Sequence, residues 1–162
     1  MTNIHIEPAS ETDIPLIFTL IKEFAEYMHL SHEVAATEES LRETLFGSKR
    51  YAEVIIARLD SQTAGFAIFF HNFSTFLGKP GLYLEDLFVR PEFRGKGIGK
   101  ALLIYLAKLA VERGCGRFEW SVLDWNKSAI EFYKRLGAVP LEEVRVFRLT
   151  GESLKKLADE QG

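Results

Sequence analysis

Between Leu82 and Gly114 the chain runs from an apolar strand pattern, LYLEDLFV, through FRGKGIGK (Phe93 to Lys100), into an amphipathic helical pattern. No other stretch constrains the fold as strongly. Glycine is the least favourable ordinary residue at a helix start, because it loses the most backbone freedom on folding. Gly95, Gly97 and Gly99 nevertheless stand where the helix must begin. A glycine turn at this place lets an anion approach backbone amides that have no acceptor inside the helix, at the positive end of its dipole. A plain turn before a capped helix suits the same residues, and the spacing alone leaves both open. The strand itself is almost wholly apolar, which suits a strand covered on both faces in a sheet with helices on each side.

The rest of the chain fits this frame. IHIEP (Ile4 to Pro8) alternates as a short strand, after which Ser10 or Thr12 can cap a helix bearing Ile14, Ile17, Phe18, Ile21, Phe24 and Ala25. TEESLRETLFG reads as a second helix, from Thr37 to its stop at Gly47. YAEVIIARL and TAGFAIFFHNF, joined by Asp60-Ser61-Gln62, read as a β-hairpin. After the glycines, Ile98, Ala101, Leu102, Tyr105, Leu109 and Ala110 trace one helical face that Gly114 closes. RFEWSVL is a strand, Asn126 starts a helix through about Leu136, VRVFRL is a last strand and GESLKKLADE a last helix. The order β-α-α-β-β-β-α-β-α-β-α predicts an α/β fold, a mixed sheet flanked by helices, in one domain over residues 1–162. With 47% hydrophobic residues in 162, the chain can bury a real core. A net charge of −3 argues against nucleic-acid binding by general electrostatics. A single cysteine, Cys115, gives no internal disulfide, and no stretch has the roughly 20 apolar residues of a membrane helix. These features predict a soluble, cytoplasmic protein.

Three phosphate motifs can be tested against the glycine stretch. A P-loop needs four residues between its glycines and then Gly-Lys-Ser/Thr, which is absent. A dinucleotide fingerprint counted from Gly95 and Gly97 requires glycine where Lys100 stands. The pattern Arg/Gln-x-x-Gly-x-Gly/Ala is met by Arg94-Gly95-Lys96-Gly97-Ile98-Gly99 at every fixed position. This stretch resembles the pyrophosphate loop of the GCN5-related N-acetyltransferases (GNAT). LYLEDLFV and VLDWNKSAIEFYKRLGA extend the resemblance to that family's diamine branch, the polyamine and thialysine acetyltransferases.

The resemblance implies acetyl transfer from acetyl-CoA to a primary amine, without a metal, in a domain of the GNAT fold. It places Arg94, Gly95, Lys96, Gly97, Ile98, Gly99 and Lys100 at the coenzyme pyrophosphate, and Leu87, Phe88 and Val89 along the pantetheine arm. Asn126, with Lys127, Ser128 and Ala129 following, matches a second coenzyme contact. The reaction needs a base for an ammonium with a pKa near roughly 10.4, a donor for the oxyanion and an acid for the thiolate. The resemblance gives the base to Glu85 and the acid to Tyr133, with strand amides as oxyanion donors. A structural ion pair for Glu85 and a core position for Tyr133 are the plainer readings of the residues alone. Strand alternation puts Glu85 and its neighbour Asp86 on opposite faces, so the two are not expected to share a proton. Asp86 is assigned to the cationic substrate or the strand, and Tyr27 and Met28 to the substrate-side end of the first helix.

FSTFLG, Phe73 to Gly78, matches the thialysine-type relatives, whereas the spermidine/spermine enzymes carry an acid and a tryptophan where Ser74 and Phe76 stand. The segment after Gly137 is shorter than in either branch and supplies Val144 and Arg145 in place of an expected tryptophan. The acceptor is thus expected to be a small primary amine of lysine-like length. A protein amine as acceptor, or a module that binds acetyl-CoA without turnover, are the alternatives. His29-x-x-His32 lacks a third ligand in sequence and reads as solvated loop, Cys115 as inert. The resemblance also implies a homodimer.

Overall fold

The computed structural model describes residues 3–161 of the chain. Contacts divide it into two units, Met1–Ser121 and Val122–Gly162. The first holds one five-stranded sheet in the order β1-β2-β3-β4-β5. Its strands are β1 (Ile4–Pro8), β2 (Glu53–Leu59), β3 (Gln62–Ser74), β4 (Lys79–Val89) and β5 (Phe118–Trp120). The first four pair antiparallel in sequence order, and β5 runs parallel to β4. Helices α1 (Ile14–Tyr27) and α2 (Glu38–Phe46) precede β2, and α3 (Ile98–Glu112) carries the chain from β4 to β5.

Local chemistry accounts for these boundaries. Ser10 caps a single 3-10 turn, Glu11–Asp13, before α1 begins with Pro15 in its first turn, where a missing N–H costs nothing. The Thr37 hydroxyl accepts from the Ser40 amide at 3.0 Å and the Ser40 hydroxyl from the Thr37 amide at 2.9 Å, a reciprocal cap for α2. The β2–β3 hairpin turns on two residues, Asp60 and Ser61, both at positive φ (48° and 70°), the geometry whose twist matches flanking strands.

Two apolar layers hold the sheet. Ile17 and Leu20 of α1 and Leu45 of α2 pack on Val54, Ile56, Phe66, Ile68 and Phe88, and every one of these is buried. The alternate residues Ile55, Ala57, Ala67 and Phe69 point to the opposite face. That face belongs to α3: its C-terminal Arg113 lies 5.9 Å from the Phe69 ring, and its Gly99 stands beside the Leu87 and Val89 side chains. The buried residues of α3, Ile98, Leu102, Leu103, Leu106 and Ala110, repeat at helical spacing. At the far end of α3, Arg113 donates to both carboxylate oxygens of Glu53 at 2.6 and 2.9 Å, which lowers the Glu53 pKa.

The second unit contains α4 (Lys127–Arg135) and α5 (Gly151–Ala158). Three expectations need correction. RFEWSVL forms a strand only over Phe118–Trp120. VRVFRL forms none, because no stretch of described backbone ladders with it, and a strand exists only through a partner. LYLEDLFV is not covered throughout, since Glu85 is exposed in its middle.

Candidate active site

The C-terminal half of β4 is the centre of the candidate site, because its pairing changes there. On one edge, β5 meets β4 at Leu82, Tyr83 and Leu84, and among the described residues of the first unit no strand ladders with that edge from Glu85 to Val89. Leu87, Phe88 and Val89 lie on this stretch, just ahead of the glycine loop. On the other edge, β3 follows β4 to its end but skips one residue. Asp86 lies opposite Ile68 and Leu84 opposite Phe69, which leaves Glu85 without a partner in the ladder. A bulge of this kind re-aims side chains and interrupts alternation. The regular alternation on which the expectation of opposite faces for Glu85 and Asp86 rests is thus interrupted at this position.

The electrostatics agree. Burial pushes the Asp86 carboxyl up to about 6, and the neighbouring charge of Glu85 adds to the rise. Two carboxylates that feel each other's charge, one of them out of water, favour a cation between or beside them. Asp86 precedes Phe88 by two residues on regular ladder, so both share the α1 face of the sheet. Phe88 there packs against Phe24 (5.6 Å between ring centres) and Tyr27 (6.3 Å) at the end of α1. Tyr27 is the last residue of that helix and Met28 its cap, with the Met28 amide donating to the Phe24 carbonyl. The two residues assigned to the substrate side thus stand near the Asp86 face.

The glycine loop joins this strand to α3. Gly97 is the N-cap residue of α3 with φ of 84°, and Gly95 has φ of 76°. Both conformations cost a side-chain-bearing residue about 1–2 kcal/mol. No side chain caps the helix, and its first internal bond runs from the Ala101 amide to the Gly97 carbonyl at 3.0 Å. The amides of Ile98, Gly99 and Lys100 come before that ladder and are the donors an anion would use. Gly99 is different: an added Cβ would only touch Val89 and Leu87 at ordinary distance.

Arg94, first residue of the motif, is turned back toward the strand. Its Nε donates to the Val89 carbonyl at 3.0 Å, and its guanidinium lies 4.2 Å from the Tyr27 ring centre. Gly65 and Arg90 were not singled out from the sequence. A Cβ on Gly65 would come within 2.4 Å of the Phe88 carbonyl oxygen, so only glycine lets β3 approach the end of β4 this closely. Isolated glycine inside a strand pattern, TAGFAIFF, is the signal that could have found it.

In the second unit, Asn126 caps α4 by accepting from the Ala129 amide and the Ser128 hydroxyl, each at 3.4 Å. Tyr133 lies within α4 beside Phe132, and burial raises its phenol above the ordinary range. Among the described residues no helix is long and apolar enough to cross a membrane.

The acetyltransferase (GNAT) family model matches residues 16–138, and the chain belongs to that family. It is 39% identical over 169 residues to a thialysine N-epsilon-acetyltransferase of Mus musculus, covering 98% of this chain and 99% of that one. It is 36% identical over 197 residues to an L-ornithine N5-acetyltransferase of Arabidopsis thaliana, covering 94% and 86%. An integron cassette protein from the mobile metagenome of V. cholerae superposes with a TM-score of 0.81 at 30% identity, over 97% of this chain and 98% of that one. The chain is an N-acetyltransferase that transfers acetyl to an amine.

Proposed function

We propose that the chain transfers acetyl from acetyl-CoA to a primary amine of a small substrate, thialysine-like or a diamine. The carrying observation is the bulge of β4, which sets Glu85 and the half-buried Asp86 where the strand parts from β5 and just ahead of the glycine loop. Relatives named for thialysine and for the side-chain amine of ornithine support the acceptor class.

In this reading the amides at the start of α3 hold the pyrophosphate, with Lys96 and Lys100 as supporting charge. The unladdered edge at Leu87, Phe88 and Val89 receives the pantetheine arm and supplies N–H donors to the thioester oxygen. Asp86 holds the substrate ammonium, and Glu85 takes its proton, directly or through a water. The freed amine attacks the carbonyl carbon and a C–N bond forms. The C–S bond breaks as Tyr133 gives its proton to the departing thiolate, and the nitrogen's remaining excess proton passes back to the phenolate, directly or through a water. A phenol kept neutral by burial can make that donation at any physiological pH.

A panel of thialysine, ornithine, lysine, short diamines, spermidine and a lysine-bearing peptide, assayed with acetyl-CoA for thiol release, tests the assignment. The expected order puts short diamino compounds above spermidine and the peptide. Preference for the peptide would overturn the small-amine reading.

A further inference from the structure

Arg90 and Arg94 flank a single 3-10 turn, Pro91–Phe93, that links the last residue of β4 to the glycine loop. They reach two residues of α1 that are likewise four apart. Arg90 donates through Nε and one terminal nitrogen to the two carboxylate oxygens of Glu23, at 2.9 and 2.8 Å. Its other terminal nitrogen donates to the Thr63 carbonyl at 3.1 Å, and its backbone amide to the Ala64 carbonyl at 2.8 Å. Arg94 stacks on Tyr27 as described. Glu23 and Tyr27 are neighbours on one helix face, so the two guanidiniums form a matched pair of attachments.

The attachment is costly to imitate. Both partners of the Arg90 pair are largely removed from solvent, 21% and 33% exposed, and the pair is bidentate, a geometry that lysine cannot supply. The Glu23 hydrogen bonds raise the Arg90 pKa further, so it is charged at every working pH. What lies on either side gives the pair its meaning. The turn feeds directly into the coenzyme loop, and α1 ends one turn after Glu23 at Tyr27 and Met28.

We infer that Arg90 and Glu23 are positioning residues, which fix the acceptor-side end of α1 relative to the coenzyme loop and thereby set the separation of amine and acetyl group. Neither touches a reacting atom. The inference rests on the proposed acceptor role of Tyr27 and Met28. Small displacements between reactants cost about 10²-fold in rate, so loosening this joint falls on transfer to the amine and spares coenzyme affinity. Arg94 belongs to the loop as well, so the test is placed on the other pair.

Arg90→Met, Arg90→Lys, Glu23→Gln and the exchanged pair Arg90→Glu with Glu23→Arg are compared with the unaltered chain. Each is assayed for amine KM and kcat/KM at saturating acetyl-CoA, for the acetyl-CoA Kd by calorimetry and for Tm. Arg90→Met and Glu23→Gln should lower kcat/KM for the amine about tenfold or more, with the acetyl-CoA Kd within about twofold. Arg90→Lys should recover only part, and the exchanged pair should retain more kcat/KM than Arg90→Met or Glu23→Gln. Equal losses in amine and coenzyme terms, or an unchanged kcat/KM for the amine in folded variants, overturn the inference. Hydrogen exchange at the Met28, His29 and Leu30 amides gives a second reading that needs no turnover. Acetyl-CoA should slow it in the unaltered chain and leave it unchanged in Arg90→Lys, the mildest variant, should Arg90→Met not fold. If no amine in the panel is acetylated, the acceptor reading fails, while the exchange result still decides whether the joint couples the two ends.

Discussion

Glu85 and Asp86 are adjacent in β4, yet only Asp86 has a partner across the ladder, Ile68, and its carboxyl feels the charge of Glu85. Its pKa is raised from 3.8 to about 6, so between these values the folded chain keeps a proton that the unfolded chain has released. Stability therefore falls as pH rises through that window, and the loss is complete above it. Asp86→Asn should remove this fall, stabilising the protein at pH 8 by on the order of 2 kcal/mol while changing little at pH 4. Urea unfolding at both pH values checks it. An identical pH profile for variant and parent would show that Asp86 carries no such strain. The same change should raise the amine KM at least about tenfold, through loss of the charge that holds the ammonium.

The glycine loop was legible in the sequence because its function leaves a local mark: glycines at positions that oppose helix formation. The same holds for the caps at Thr37 and Asn126 and for the hairpin at Asp60 and Ser61, all local chemistry. The bulge at Glu85 was not legible. Whether a strand skips a residue depends on its partner, and LYLEDLFV alternates no differently on paper for the skip. The Arg90–Glu23 pair spans 67 residues of sequence, and nothing near either residue announces the other. VRVFRL shows the converse: its composition suits a strand, but composition supplies no partner.

Gly97 separates backbone cost from binding. Its φ is 84°, and a Cβ there would meet no protein atom within 4 Å, so substitution carries conformational strain without a clash. Gly97→Ala and Gly97→Glu should each lose about 1 kcal/mol of stability. Calorimetry should find weakened acetyl-CoA binding for the alanine variant and none for the glutamate variant, whose carboxylate stands at the anion site. Comparable affinity in both would mean that the pyrophosphate lies elsewhere.

Tyr133 tests the acid. Tyr133→Phe removes one hydroxyl and should lower kcat by about 10² or more with the acetyl-CoA Kd unchanged. Because burial raises its pKa, the folded phenol stays protonated to a higher pH than the unfolded one. The alkaline limb of kcat that Tyr133 contributes should accordingly begin above about pH 10 and be missing in the variant. A kcat within twofold of the parent's removes Tyr133 from the mechanism.

Gly65 controls the end of β4 from across the ladder. It pairs with Val89, and an added methyl would meet the Phe88 carbonyl oxygen at 2.4 Å and the Val89 Cα at 3.1 Å. Both are backbone atoms, so neither can yield by a rotamer change, and β4 must shift over the residues proposed to receive the pantetheine arm. Phe88 also packs on Phe66 and Phe24, so the shift is transmitted to the α1 face. Gly65→Ala should cost about 1–3 kcal/mol of stability, the range for forcing extra volume into packed structure. The kinetic consequence distinguishes this strand end from ordinary core: the acetyl-CoA KM should rise about tenfold, measured well below the variant's Tm. Ile17→Ala, in the same apolar layer but on α1, should cost about 2–5 kcal/mol with the acetyl-CoA KM unchanged at the same temperature. If Gly65→Ala loses stability with no change in the acetyl-CoA KM, the end of β4 is structural and the coenzyme arm lies elsewhere.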